Sequence, residues 1–194
     1  YKINSNKDQT HDRVIFLLKG NQKLIYNDIR KFGFIKFFNK KNLNKNLHLN
    51  NLGPEPLRQE FNFNYFKNYI AGKNRKIKDI FMDQKFVSGI GNIYANEILF
   101  SSKVKPNRKA KNLESSEIKK IIKFTKNILK NSIKLGGSSI KDFSNSNGKK
   151  GSFQQFFNVY GKKGEPCSNK NCKNKIIRST TSIRATFYCS KCQK

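Results

Sequence analysis

Four cysteines sit near the C-terminal end of this chain, as Cys167-Ser-Asn-Lys-Asn-Cys172 and Cys189-Ser-Lys-Cys192, and the first 166 residues contain none. Each pair can supply two thiolates from one tight turn. The sixteen residues between the pairs are enough for a β-hairpin that would bring them together around a tetrahedral ion. That spacing predicts one structural Zn2+ held by Cys167, Cys172, Cys189 and Cys192. The competing reading is a pair of disulfides in a secreted protein. Disulfide staples would be spread over a small domain rather than gathered at one end, and reduced thiols fit the cytosol.

A second chemical feature is Ser88-Gly89-Ile90-Gly91-Asn92-Ile93-Tyr94-Ala95, two glycines just ahead of a helical pattern. Glycines allow a tight turn and close backbone approach, and a helix N-terminus offers free N–H groups and a positive dipole to a phosphate. Asn92 suits the N-cap position, and its amide could also donate to that phosphate. By itself a Gly-x-Gly pair is equally an ordinary helix-opening turn.

The elements that must position these residues follow from periodicity. Residues 14–18 (VIFLL), a Lys19-Gly20-Asn21-Gln22 turn and residues 23–26 (KLIY) predict a β-hairpin, and Gly33 to Phe38 predicts a further strand. Residues 39–51 are polar and simple in composition, a linker that Leu52-Gly53-Pro54-Glu55-Pro56 closes sharply. One helix is expected around Tyr65, Phe66, Tyr69 and Ile70, a second over Lys76–Gln84, and a third from Asn92 through Leu99. A long amphipathic helix carries Ile118, Ile121, Ile122, Thr125, Leu129 and Ser132 and stops at Gly136-Gly137. A Gly/Ser/Asn/Lys loop over 136–152 then leads to the cysteine hairpin. There are no internal repeats.

Composition narrows the partner. The chain has 194 residues, with 41 Lys and Arg against 12 acidic residues, a formal net charge of +29. Self-repulsion of that size is best tolerated when the partner is a polyanion, so DNA or RNA is expected. Part of the excess reflects a chain crowded with Lys, Asn, Ile and Phe, as codons of an A+T-rich genome would favour. No apolar run approaches the ~20 residues of a membrane span, and no signal peptide is visible.

Six segments occur in a telling order: YNDIRKFG (26–33), LGPEPL (52–57), FMDQKFVSGIGNIYANEILF (81–100), GGSSIKDF (136–143), VYGKKGEPC (159–167) and RATFYCSKCQK (184–194). Their sequence and spacing resemble the bacterial formamidopyrimidine-DNA glycosylase family over essentially the whole chain. Endonuclease VIII is the sister family, but YGKKGEPC and GGSSIKDF look more like the first.

The resemblance implies an α+β fold. It places the last strands of a β-sandwich at residues 1–38, a linker at 39–54, a helix–two-turns–helix domain at 55–152 with a lesion-capping loop at 138–150, and a zinc finger at 159–194. It implies base-excision repair of double-stranded DNA containing an oxidised purine or an abasic site, by a bacterial, cytoplasmic, nucleoid-associated monomer. Asn92 and Arg184 match the pair that grips phosphates flanking a flipped nucleotide, and Arg184 also matches the proton donor for δ-elimination. Lys78 matches a lysine near the lesion and His11 a histidine on the DNA backbone. Arg30 and Phe32 match the pair that fills the void left by base flipping. Asn74 falls where the family is usually basic, leaving Lys73 or Arg75 as substitutes.

Two further departures stand out. The family's usual Asp-Pro-Arg-Arg-Phe-Gly is here Asp28-Ile29-Arg30-Lys31-Phe32-Gly33, and the first knuckle has four intervening residues where many members have two. The family's N-terminal proline nucleophile, its glutamate and its β-elimination lysine are not among these residues, so earlier sandwich strands are expected ahead of Tyr1, which has no assigned role. The alternative reading is a non-enzymatic, zinc-containing nucleic-acid-binding protein.

Overall fold

The computed structural model describes residues 2–4, 9–39, 41, 46–138 and 151–194. Of the expected lesion-capping loop, 139–150 lies outside the described residues. The chain forms two compact units, one of residues 1–43 with 132–155 and one of residues 44–131 with 156–194. The helical region and the cysteine hairpin, separate domains by sequence, thus share one unit.

In the first unit, strands β1 (Lys2–Ile3), β2 (Asp12–Leu18) and β3 (Gln22–Asn27) form an antiparallel sheet in the order β1-β3-β2. The predicted hairpin is present, with Val14 opposite Tyr26 and Leu18 opposite Gln22. Gly20 and Asn21 take positive φ in its turn, as a tight connection requires. The expected strand over Gly33–Phe38 does not form. Its residues favour extended backbone, but a strand also needs a neighbour to accept its N–H groups, and among the described residues none pairs with it.

The second unit carries the main core. The expected polar linker contains one helical turn, α1 (Leu47–Asn50), capped by the Asn46 side chain. Helix α2 (Phe63–Ile70) opens where Asn62 Oδ1 accepts the Tyr65 N–H at 3.0 Å, a sound N-cap. It buries Phe66 and Ile70. Phe66 meets Phe86 edge to face at 5.0 Å between ring centres, and Phe61 and Phe81 complete the cluster. Helix α3 (Ile77–Phe81) is shorter than the expected Lys76–Gln84, because the chain leaves it at Met82 to form the turns before the glycine pair.

Helix α4 (Asn92–Ser101) buries every residue from Ala95 to Phe100. Helix α5 (Ser115–Lys134) lays Ile118 and Ile121 on the core and ends at Gly136 and Gly137, both at positive φ. Strands β4 (Ile177–Thr181) and β5 (Arg184–Tyr188) form the C-terminal hairpin. A second, small cluster of Phe100, Val159, Ile176, Phe187, Cys167 and Cys189 lies beneath it.

Candidate nucleic-acid interface and metal centre

The four thiols meet. Their sulfur atoms all lie within 4.8 Å of one another, with Cys167 Sγ 3.8 Å from Cys192 Sγ and Cys172 Sγ 3.6 Å from Cys189 Sγ. A tetrahedron with Zn–S distances of ~2.3 Å has edges of about 3.8 Å, so the four sulfurs fit a four-cysteine zinc site. All four are free thiols, at separations no disulfide allows. Burial pushes the Cys167 and Cys192 thiols upward, while the Asn174 backbone N–H draws Cys172 down. A cation at their centre would favour the thiolate form of all four. Gln193 ties this knuckle to the helices. Its Oε1 accepts the Cys189 N–H at 2.9 Å, and its Nε2 donates to the Val104 carbonyl at 2.8 Å.

Above the cysteines, the hairpin is locked to the helical region through its own backbone. The Ala185 carbonyl, one residue past Arg184, accepts Lys78 Nζ at 2.9 Å and Asn92 Nδ2 at 3.0 Å. Lys78 Nζ also donates to Thr186 Oγ1 at 2.7 Å. Lys78 is only 1 % exposed. Desolvation lowers its pKa to about 8; Asp79 opposes the shift, and the Arg184 guanidinium adds to it. Lys78, Asn92 and Arg184 therefore converge, with Lys78 anchoring the hairpin and Arg184 exposed beside it.

Asn92 departs from its expected capping role. Gly91 takes the N-cap position and Asn92 is the first helical residue, its amide drawn across to Ala185. One amide N–H used there leaves a second for a ligand. The glycine turn is held by Gln84, which accepts the Gly89 N–H at 2.7 Å and donates to the Ile90 carbonyl at 3.0 Å.

Helix α4 supplies two anchors that sequence reasoning missed. Asn96 Oδ1 accepts the Phe187 N–H at 2.8 Å. The Glu97 carboxylate, 2 % exposed, accepts the backbone N–H groups of Asn158, Val159 and Tyr160 at 2.8–2.9 Å. The readable signal was two polar residues inside IYANEILF, a helix with no polar face. Polar groups buried there need specific partners.

In the first unit the 28–33 loop is built around Asp28. Its carboxylate accepts the N–H groups of Arg30 (3.1 Å), Lys31 (3.0 Å) and Gly33 (2.8 Å) and the Tyr26 hydroxyl (3.1 Å). Its pKa is lowered, first by the Gly33 N–H. Gly33 has no room for a side chain, since an added Cβ would fall 1.4 Å from the Tyr26 hydroxyl. The Arg30 guanidinium lies 5.0 Å from the centre of the Phe32 ring, and Phe32 is 77 % exposed. The His11 carbonyl accepts the Asp28 N–H at 2.9 Å, which puts His11 at the base of the loop, and His11 Nδ1 is buried without a hydrogen-bond partner among the described residues.

Asn74 stands outside both clusters, in the exposed connection between α2 and α3. Of its possible substitutes, Arg75 is committed to Asp83 at 2.7 Å, and Lys73 lies over the Tyr69 ring at 4.3 Å.

Known proteins resemble this chain in sequence and fold. The family model described as the formamidopyrimidine-DNA glycosylase H2TH domain matches residues 52–144. The formamidopyrimidine-DNA glycosylase of Rickettsia bellii (strain OSU 85-389) is 41% identical over 191 residues, covering 98% of this chain and 69% of that protein. That of Zymomonas mobilis is 41% identical over 194 residues, covering 100% and 71%. Among solved structures, a complex between Lactococcus lactis Fpg and an abasic-site-containing DNA superposes with a TM-score of 0.88 at 32% identity, covering 100% of this chain and 70% of that one. The MutM (FPG) protein of Thermus thermophilus gives 0.87 at 31%, covering 96% and 70%. Among the described residues, no helix is long and apolar enough to cross a membrane.

Proposed function

This chain belongs to the formamidopyrimidine-DNA glycosylase family, and we propose that it is the DNA-gripping part of a base-excision-repair glycosylase acting on oxidised purines. The observation that carries this reading is the double anchorage of the Ala185 carbonyl by Lys78 and Asn92. It fixes Arg184 beside the opening of α4, where phosphates on either side of an everted nucleotide can be held by the guanidinium, the free Asn92 N–H and the helix terminus.

In this reading Lys78 is a positioning residue rather than a phosphate contact, because its ammonium is taken up by the hairpin. Asn74 adds at most a surface contact. Arg30 and Phe32, stacked and held by Asp28, occupy the space the base leaves, and His11 supports that loop from below. Cys167, Cys172, Cys189 and Cys192 hold one zinc ion, which supplies structural crosslinking when bound. The strands before residue 39 belong to a β-sandwich, with 55–152 as helix–two-turns–helix and 159–194 as zinc finger. Excision and strand cleavage by β- and δ-elimination need an amine at the sugar C1′. The proline amine, glutamate and lysine that the family uses are not among residues 1–194. Arg184 would donate the proton in the second elimination.

Affinity for an abasic-site duplex at fixed salt tests the grip. Asn92→Ala and Arg184→Ala are each expected to cost on the order of 1–3 kcal/mol, as lost charge-assisted contacts do. Lys123→Ala, on the exposed face of α5, should cost little. Equal losses in all three would mean that binding follows overall charge and that the assigned roles are wrong.

A further inference from the structure

The tip of the β4–β5 hairpin is a two-residue turn, Ser182-Ile183, closed by the Thr181–Arg184 pair. Both turn residues take positive φ, +46° and +65°. Such primed turns match the twist of the strands, and Gly, Asn or Asp fill them because an L side chain in the left-handed region crowds its own backbone. A β-branched residue is the least suited of all. Ile183 nevertheless occupies the second position, with 95 % of its surface exposed. Neither the turn nor the core gains from it, since the side chain packs on nothing and disfavours the conformation it occupies. Strain kept at an exposed tip points to a use outside the folded chain.

The chain itself indicates that use. Ile183 directly precedes Arg184, and Arg75, Asp79, Met82, Thr181, Ser182 and Arg184 line a concavity of about 230 Å³ at the hairpin. Ile183 and Arg184 are both exposed at the tip and their Cα atoms are ~3.8 Å apart, so a polyanion seated on Arg184 has the Ile183 side chain within its reach. The apolar parts of a nucleic acid are its sugar faces and base edges, and apolar side chains placed against them are a known mode of DNA contact.

The geometry points to Ile183 as a DNA-contact residue that lays its side chain against the deoxyribose or base edge next to the phosphate held by Arg184. It adds a salt-independent component to binding at the expense of hairpin stability. This inference rests on the phosphate-gripping role given to Arg184 above.

The experiment uses the zinc-loaded chain and four proteins: wild type, Ile183→Gly, Ile183→Asn and Arg184→Ala. Affinity for an abasic-site duplex is measured from roughly 50 to 200 mM salt, a range over which phosphate contacts declare themselves in the slope of log affinity against log salt. Thermal unfolding is followed in parallel. Ile183→Gly and Ile183→Asn are expected to raise the melting temperature while weakening binding about fivefold or more, with the salt slope unchanged, as loss of an apolar contact requires. Arg184→Ala should weaken binding and reduce the slope by about one.

A binding loss accompanied by a lower melting temperature would make Ile183 a structural residue and overturn the inference. So would Ile183→Gly binding like wild type while Arg184→Ala binds weakly, since the tip isoleucine would then be a surface accident. If Arg184→Ala is silent while Ile183→Gly weakens binding, the phosphate grip fails, and the placement of Ile183 beside a held phosphate fails with it. If both are silent, both fail.

Discussion

Replacing Lys78 with methionine separates two effects that its position combines. Lys78 is 1 % exposed and its pKa is depressed to about 8 from the usual 10.5, chiefly by desolvation. A lysine whose folded pKa lies below its unfolded value carries a penalty that is complete below the folded pKa. The penalty is relieved as pH rises from about 8 toward 10.5, where the unfolded chain binds the extra proton. At ~1.36 kcal/mol per unit, the shift amounts to a penalty on the order of 3 kcal/mol at neutral pH. Methionine removes that penalty, but it also removes two hydrogen bonds from a charged donor, each worth ~1.5–3 kcal/mol. The Ala185 carbonyl keeps Asn92 as a donor, and Thr186 Oγ1 lies 3.4 Å from the Arg184 carbonyl, so no hairpin acceptor is stranded. The opposing contributions largely offset, and Lys78→Met should destabilise the chain at pH 7 by no more than about 3 kcal/mol. Removing one partner of an ordinary buried ion pair costs ~3–5 kcal/mol.

The sharper signature lies in pH. With pKa values of about 8 folded and 10.5 unfolded, the linkage relation gives wild type a stability gain on the order of 1 kcal/mol between pH 7 and pH 9 that the methionine variant lacks. The assay is urea unfolding of the zinc-loaded chain at both pH values, with the result taken as the difference between wild type and variant so that every other titrating group cancels. Parallel pH dependences, or a larger gain in the variant, would refute the view that Lys78 is a desolvated anchor.

Three further outcomes follow from the same contacts. Glu97→Gln should destabilise the second unit by ~1–3 kcal/mol through its buried carboxylate contacts, and hydrogen exchange should show amides 158–160 losing protection while α5 keeps its own. Metal analysis should find one zinc per chain, and chelation or Cys189→Ser should unfold residues from about 160 onward while circular dichroism of the helices persists, because the cluster beneath the hairpin is too small to fold it unaided; a zinc content near zero would remove this reading. A polypeptide of residues 1–194 should form no borohydride-trapped adduct with an 8-oxoguanine duplex, and fusion to a family-like sandwich beginning Pro-Glu should restore trapping. Strong trapping without the fusion would mean that another amine is the nucleophile.

The parts of the fold that could be read from the chain were those encoded locally. The cysteine spacing placed four sulfurs that do meet. The apolar stripe of α5 and its glycine stop were both present, as was the first hairpin. The misreadings came where a local preference met a distant partner. Gly33–Phe38 has strand-like residues and no strand beside it among the described residues. Asn92 has the chemistry of an N-cap but is claimed by a carbonyl 93 positions away. Asp28 lies within the YNDIRKFG segment, but its role is invisible in the sequence, because a carboxylate that gathers three backbone N–H groups leaves no trace in periodicity.

The residues that tie the C-terminal segment to the helical region, Lys78, Asn92, Asn96, Glu97 and Gln193, share one device: each binds backbone groups of a remote segment. Backbone groups are present whatever the residue, so these anchors place few demands on the hairpin's solvent-facing side chains. Its position cannot vary as freely, because the anchors sit on α3, on α4 and in the second knuckle. Such an arrangement holds a guanidinium in register with a helix terminus while leaving that guanidinium without a hydrogen bond or ion pair among the described residues. A phosphate grip needs that combination, since an arginine already paired within the protein would have to break its own contact before it could bind DNA.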